Sequence, residues 1–216
     1  MGPRPAGQEK AHPESQPHAV SRRELLAGAA ATLAVAFVPV SCLFAAQAAA
    51  DILTPTERQT LEAVVARIIP ADDTSPGALE AGCARYIESA LGDAYQSLKQ
   101  AYSAGLAALN AQAMASVNKP FAAAGASEQD KLLSDFEKNV KVGDYSGSAS
   151  FFEMMRRHTL EGMFGDPAYG GNANFAGWDL IAYPGPRMYV PPELQALDAK
   201  PPRTRLSAEQ VMHGSH

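Results

Sequence analysis

The sequence predicts a mainly α-helical protein, in which a small helical domain is followed by an irregular segment that packs on the domain or on a partner. Apolar residues recur at helical spacing between residues 54 and 164. No alternating apolar and polar run is longer than four residues, so no strand is predicted. After Gly165 the helical pattern gives way to glycine, proline and aromatic residues, which indicates irregular backbone.

The composition excludes several classes of protein. The 216 residues are 46% hydrophobic, which excludes a disordered chain and fits one domain. Eighteen Lys and Arg stand against 23 Asp and Glu, so the basic face that nucleic-acid binding requires is not expected. Two cysteines exclude a disulfide-dense scaffold and a cysteine-only zinc site.

Residues 1–50 are predicted to be a polar leader and a twin-arginine signal peptide. Arg22 and Arg23 follow a serine and precede a mildly apolar stretch at 27–38. Small residues at 46–50 offer cleavage sites of the A-x-A kind. We therefore expect export by the twin-arginine translocase to the periplasm, with an uncleaved N-terminal anchor as the alternative.

The first predicted helix begins at Thr54. Thr54 and Glu57 form a capping-box pattern, with Pro55 at the first helical position. The apolar stripe of this helix consists of Leu61, Val64, Val65, Ile68 and Ile69. Pro70 ends the helix.

Two further helices are predicted before residue 120. The second covers residues 78–91, and its apolar face consists of Cys83, Ile87 and Leu91. The third covers residues 93–116, and its apolar face consists of Tyr95, Leu98, Tyr102, Leu106 and Leu109.

Two more helices complete the predicted domain. Ser127 has the sequence context of an N-cap, and the apolar residues after it are Leu132, Leu133, Phe136 and Val140. The last helix covers residues 148–164 and carries Phe151, Phe152, Met155 and Thr159.

The segment Gly165–Gly185 is the predicted partner-contacting or domain-capping element. It is too apolar for a linker and too broken for regular structure. Its candidate interface residues are Tyr169, Asn172, Phe175, Trp178 and Tyr183. Trp178, the only tryptophan, is either core or interface. The domain is placed at residues 51–190, and residues 191–216 are predicted to be an extended polar tail.

Motifs that would carry chemistry are missing from this chain. It has no G-x-G-x-x-G for a dinucleotide and no C-x-x-C-H for haem. We therefore predict no catalytic, cofactor-binding or metal-ligating residue. His158 is the candidate for acid–base work or, with Glu161 and a further ligand, for metal binding, against a structural or interface role. Cys83 is either a buried apolar residue or half of an intersubunit disulfide.

The signal and the missing motifs together point to a partner. The twin-arginine route exports folded proteins, commonly because a cofactor was inserted in the cytoplasm. Since this chain shows no means of holding a cofactor, we expect that it accompanies a cofactor-bearing partner.

Residues 52–188 resemble the small (gamma) subunit of the membrane-associated gluconate 2-dehydrogenases, the gluconate dehydrogenase subunit 3 family. The resemblance is carried by a series of short motifs in residues 158–185. These motifs are His158–Pro167, Tyr169–Asn172, Gly177-Trp178 and Tyr183–Gly185.

The resemblance implies a periplasmic, membrane-associated complex. A large FAD-containing subunit oxidises D-gluconate to 2-dehydro-D-gluconate, and a multihaem cytochrome c subunit passes electrons towards quinone. The small subunit supports folding and export of the flavoprotein. Three alternatives stay open. The chain could serve a related glucose, sorbitol or polyol dehydrogenase, act as an escort that leaves after export, or be an independent metal-dependent enzyme that uses His158.

Overall fold

The computed structural model describes Gly2 and residues 52–214, and the structural statements below refer to these residues. The predicted signal peptide, with Arg22 and Arg23, lies outside them. The α-helices are α1 (Pro55–Ile68), α2 (Cys83–Gly92), α3 (Lys99–Val117), α4 (Ala126–Glu137), α5 (Ser148–Phe164), α6 (Ala176–Leu180) and α7 (Ala208–His213). No strand occurs in residues 52–214, so the mainly α class is confirmed.

Helix α1 begins as its sequence predicts. The Thr54 amide donates to Glu57 Oε2 at 2.7 Å, and the Glu57 amide donates to Thr54 Oγ1 at 3.3 Å, which completes the capping box. The helix ends at Ile68, and Ile69 is extended because Pro70 follows it. The Arg67 guanidinium at its C-terminal end binds Asp130 on α4 through two hydrogen bonds of 2.7 Å.

Helix α5 is the centre of the bundle, since it packs against α1, α2, α3, α4 and α6. It matches the predicted range of residues 148–164. The largest side chains of the core are Leu61, Ile87, Leu91, Tyr102, Leu106, Leu109, Phe121, Phe136, Met155 and Met163, all buried. Burial of each large apolar side chain contributes roughly 1.5–3 kcal/mol. No helix among residues 52–214 is long and apolar enough to cross a membrane.

The second and third helices begin later than predicted. Residues 78–82 form turns, and Gly82 has a φ of +77°, a left-handed conformation that interrupts a helix before α2 starts at Cys83. Residues 93–98 form the connection to α3, in which only Gln96–Leu98 is a 3₁₀ turn. Tyr95 therefore lies in a loop, where its ring can reach α5.

The boundaries of α4 also differ from the prediction. Gly125, not Ser127, is the N-cap, and its amide donates to Glu128 Oε2 at 2.7 Å. The helix ends at Glu137, so Val140 lies outside it and is exposed. The predicted core residues Leu132, Leu133 and Phe136 are buried.

The tail is not extended throughout. Ser207 and Gln210 form a capping box that starts the short helix α7, a signal that apolar periodicity does not reveal. The Thr204 amide donates to the Pro184 carbonyl at 2.9 Å, and the Ala208 amide donates to Asp166 Oδ2 at 2.6 Å. The tail therefore returns along the Gly165–Gly185 segment.

Candidate functional site

The Gly165–Gly185 segment closes the C-terminal end of α5. The last carbonyls of a helix have no partner within the helix. Here the Gly162 carbonyl accepts from the Asn172 amide at 2.7 Å, and the Phe164 carbonyl accepts from Trp178 Nε1 at 2.9 Å. The segment is thus bonded to the central helix of the bundle.

Asn172 holds the two halves of this segment together. Its side chain is fully buried, and its Nδ2 donates to the Gly165 carbonyl at 2.8 Å. Its Oδ1 accepts from the Gly177 amide at 2.9 Å. Its φ of +45° is left-handed, a conformation that asparagine tolerates better than most residues.

Two glycines allow the segment to lie directly on α5. A Cβ at Gly171 would be 2.2 Å from the Gly162 carbonyl oxygen, and one at Gly177 would be 1.8 Å from the Met163 carbonyl oxygen. Any side chain at either position would collide with helix backbone. The motif glycines of this region therefore serve close packing.

Trp178 is buried against its own segment, which favours the core over the interface. It is 6% exposed and lies between Phe175 and Tyr183, with ring centroids at 5.5 and 4.9 Å. The Arg205 guanidinium of the tail lies over the Phe175 ring, 5.8 Å from its centroid. Phe175 has a φ of +61°, a strained value for an aromatic residue.

The candidate interface residues divide into buried and exposed groups. His158, Cys83, Asn172 and Trp178 are buried within this chain. Tyr169 is 70% exposed and Tyr183 39% exposed, while Phe175 is half-buried. That these three contact a partner stays a prediction.

Cys83 is the first residue of α2 and lies where α2 packs against α5. A Cβ added at Gly162 of α5 would be 3.2 Å from the Cys83 Cβ, which shows how closely the two helices approach. Burial raises the pKa of the Cys83 thiol to about 12, so the thiol stays protonated near neutral pH. The geometry favours the buried apolar role over an intersubunit disulfide.

Both ring nitrogens of His158 are occupied. The imidazole is fully buried, with Nδ1 2.7 Å from Tyr102 Oη and Nε2 3.1 Å from Arg157 Nη2. Because a guanidinium can only donate, Nε2 accepts, and neutral His158 therefore carries its proton on Nδ1 and donates it to Tyr102 Oη. Burial lowers the pKa of His158, the nearby Glu161 carboxylate opposes that shift, and Arg157 adds to it.

A tyrosine from the α2–α3 connection completes this cluster. The Tyr95 ring stacks on His158 with centroids 4.3 Å apart and planes 11° apart. Tyr95 Oη donates to Glu161 Oε2 at 2.7 Å, and this bond raises the pKa of Tyr95. Tyr86 Oη donates to the same oxygen at 3.4 Å. The cluster joins α2, α3 and α5 around the buried histidine.

Sequence reasoning missed the partners of His158. Tyr95 and Tyr102 have the spacing of an ordinary apolar stripe and lie 63 and 56 positions before His158, so no local pattern links them to it. No group of three or more His, Cys, Asp or Glu residues within 52–214 could hold a metal ion. The proposed pairing of His158 with Glu161 as metal ligands therefore has no third ligand among those residues.

The comparison with protein families decides the relationship of this chain. Residues 55–185, more than half of the sequence, match the family described as gluconate 2-dehydrogenase subunit 3. The chain belongs to the gluconate 2-dehydrogenase subunit 3 family. Comparisons with curated proteins and with solved structures gave no match. The family match covers all of α1–α6 and ends at Gly185, so the tail and α7 lie beyond it.

Proposed function

We propose that this protein is the non-catalytic small subunit of an exported FAD-dependent gluconate 2-dehydrogenase. The observation that carries the proposal is the family match over residues 55–185, since the family is named for the third subunit of that enzyme. In the proposed complex the large subunit holds FAD and oxidises D-gluconate to 2-dehydro-D-gluconate. A multihaem cytochrome c subunit takes the electrons to quinone.

The geometry supports a binding role for the outer side of the Gly165–Gly185 segment. Four large apolar residues of the segment are exposed: Tyr169, Leu180, Ile181 and Tyr183. Large exposed apolar residues within one short segment are a common feature of protein–protein contact sites. We name these four residues the outer face of the segment and propose that the flavoprotein covers them.

The same geometry argues against an independent enzyme that uses His158. The imidazole is buried, and Tyr102 and Arg157 occupy both of its nitrogens. A general base must come within hydrogen-bond reach of its substrate proton. His158 would have to lose a buried hydrogen bond and become exposed to do so.

Co-expression with the flavoprotein tests the proposal. A tag on this chain should bring down a yellow, FAD-containing large subunit with gluconate-oxidising activity, while the chain purified alone should be colourless and inactive. Activity in the isolated chain would refute the proposal. A flavoprotein that matures normally without this chain would refute the supporting role.

The proposed export route has its own test. Replacement of Arg22 and Arg23 by lysine preserves charge but removes the twin-arginine pair. We expect both this chain and the flavoprotein to stay in the cytoplasm, measured by fractionation and gluconate oxidation. A periplasmic complex that persists after export would distinguish a resident subunit from an escort that leaves.

A further inference from the structure

A cleft lined by three tyrosines lies where α2 ends. Its volume is about 290 Å³, which is enough for one side chain or a small organic ion. The lining residues are Tyr86, Ser89, Ala90, Asp93, Ala94, Tyr95 and Tyr169. Tyr169 belongs to the outer face of the Gly165–Gly185 segment, so the cleft and the proposed contact surface share this residue.

Two of the three tyrosines are fixed in place before any ligand arrives. Both hydroxyls, those of Tyr86 and Tyr95, donate to Glu161 Oε2. Tyr95 is also stacked on the buried His158. A ligand therefore meets aromatic walls whose orientation costs little further entropy on binding.

The negative charge of the cleft favours binding of a cation. Asp93 is the one charged residue in the lining, and its carboxylate has no hydrogen-bond or ion-pair partner among residues 52–214. The cleft also lies at the C-terminal end of α2, the negative end of the helix dipole. Aromatic faces attract cations in addition. Arg85, beside Tyr86 in sequence, does not line the cleft and donates two hydrogen bonds to the Gly170 carbonyl.

We propose that this tyrosine cleft binds an organic cation, and that in the complex the occupant is a lysine or arginine side chain of the large subunit. The choice of occupant rests on the proposed function and on Tyr169, which belongs both to the cleft and to the outer face. A guanidinium or alkylammonium group would stack on the tyrosines while Asp93 neutralises its charge.

The first experiment titrates the purified protein with choline and with 3,3-dimethyl-1-butanol, its neutral counterpart of the same shape. Amide chemical shifts report the binding site. Choline should shift the amides around Asp93 and Tyr95, whereas the neutral alcohol should bind about three- to thirty-fold more weakly. Asp93→Asn and Tyr169→Ala should each weaken choline binding. Equal binding of the two probes, or no binding of choline, would overturn the cation site.

The second experiment measures association with the large subunit. Asp93→Asn and Tyr169→Ala should each weaken association about three- to thirty-fold. Tyr189→Ala is the matched control, because Tyr189 is 69% exposed but lies after the Gly165–Gly185 segment and outside the cleft. If all three variants associate like the unchanged protein, the cleft does not receive the partner. If the unchanged protein fails to associate at all, the proposed function fails, and choline binding still decides whether the cleft takes a free cation.

Discussion

Asn172 fixes the path of the Gly165–Gly185 segment because its side chain forms hydrogen bonds with Gly165, before it in the chain, and with Gly177, after it. Asn172→Ala would leave the Gly165 carbonyl and the Gly177 amide without these partners. Each unsatisfied buried group costs about 1–3 kcal/mol, so we expect the free energy of unfolding to fall by roughly 2–6 kcal/mol. Urea unfolding followed by the fluorescence of Trp178 would measure the change.

Asn174→Ala is the matched control for this variant. Asn174 also has a left-handed φ, +55°, but its side chain is exposed and forms no hydrogen bond among the described residues. Both variants lose the tolerance of asparagine for that conformation, so the difference between them isolates the buried bonds. Equal losses of stability would show that the Asn172 side chain is unimportant.

His158 makes the stability depend on pH in a predictable direction. Burial, which lowers the pKa of His158 below its ordinary value of 6.5, means that the unfolded chain takes up a proton more readily than the folded protein. The stabilising contribution is therefore fully present above pH 6.5 and is lost as the pH falls below it. The slope from this group is at most about 1.4 kcal/mol per pH unit.

His158→Asn tests this dependence because an amide can still bond to Tyr102 and does not titrate. We expect the variant to be less stable at pH 7.5 but to lose less stability than the unchanged protein between pH 7.5 and 5.5. Guanidinium unfolding at several pH values would show it. The groups that face the imidazole, Tyr95, Tyr102, Arg157 and Glu161, are the same in both proteins. Identical slopes would contradict the assignment.

At the level of elements, the sequence predicted those helix boundaries that depend on neighbouring residues in the chain. The capping box at Thr54 and the proline at position 70 define α1, and α5 ends where Gly165 follows Phe164. The start of α2 could not be predicted, because the left-handed turn at Gly82 depends on contacts with residues far along the chain. One such contact joins the Ala81 carbonyl and the Ala173 amide at 2.9 Å.

The sequence predicted which segment forms the candidate site, but it did not predict which side chains of that segment face inward. Glycine, proline and aromatic content predicted irregular backbone for Gly165–Gly185, and this was wrong for part of the segment, because the short helix α6 (Ala176–Leu180) and two 3₁₀ turns form within it. Which aromatic ring faces inward depends on the exact position of the α5 carbonyls, and Trp178 turns inward because its Nε1 finds the Phe164 carbonyl. Aromatic character alone does not predict such burial, since the aromatic residue Tyr169 in the same segment is exposed.

Asp179 is one of the residues that bind the tail to the family domain. Asp179 pairs with Arg205 and, at 3.5 Å, with Arg203. Exposed ion pairs contribute little, so Asp179→Asn should change global stability by less than about 1 kcal/mol. It should nevertheless accelerate hydrogen exchange at the Thr204 amide, which is bonded to the Pro184 carbonyl.

Glu153→Gln provides the comparison for the tail experiment. Glu153 forms an exposed ion pair with Arg156 on α5, within one helix and with no tail residue. Its loss should leave exchange at Thr204 unchanged. Unaltered exchange in Asp179→Asn would mean that the other contacts of the tail hold it in place without Asp179.

At the level of the whole molecule, the two sides of the Gly165–Gly185 segment should have separable roles. The inner side carries Trp178 and bonds to α5, whereas Leu180 and Ile181 on the outer face are exposed. Substitutions on the inner side should therefore change folding, and those on the outer face should change association. A segment that only capped the domain would show the first effect without the second.

Two variants test this separation. Trp178→Phe leaves the partly buried Phe164 carbonyl without its donor, so unfolding free energy should fall by about 1–3 kcal/mol. The double variant Leu180→Ser, Ile181→Ser should keep unfolding free energy within about 0.5 kcal/mol, because both side chains are exposed. It should weaken association with the flavoprotein by at least about 1 kcal/mol. Denaturant unfolding and surface-immobilised binding measure the two quantities on the same preparations. Unchanged association in the double variant would restrict the segment to capping α5.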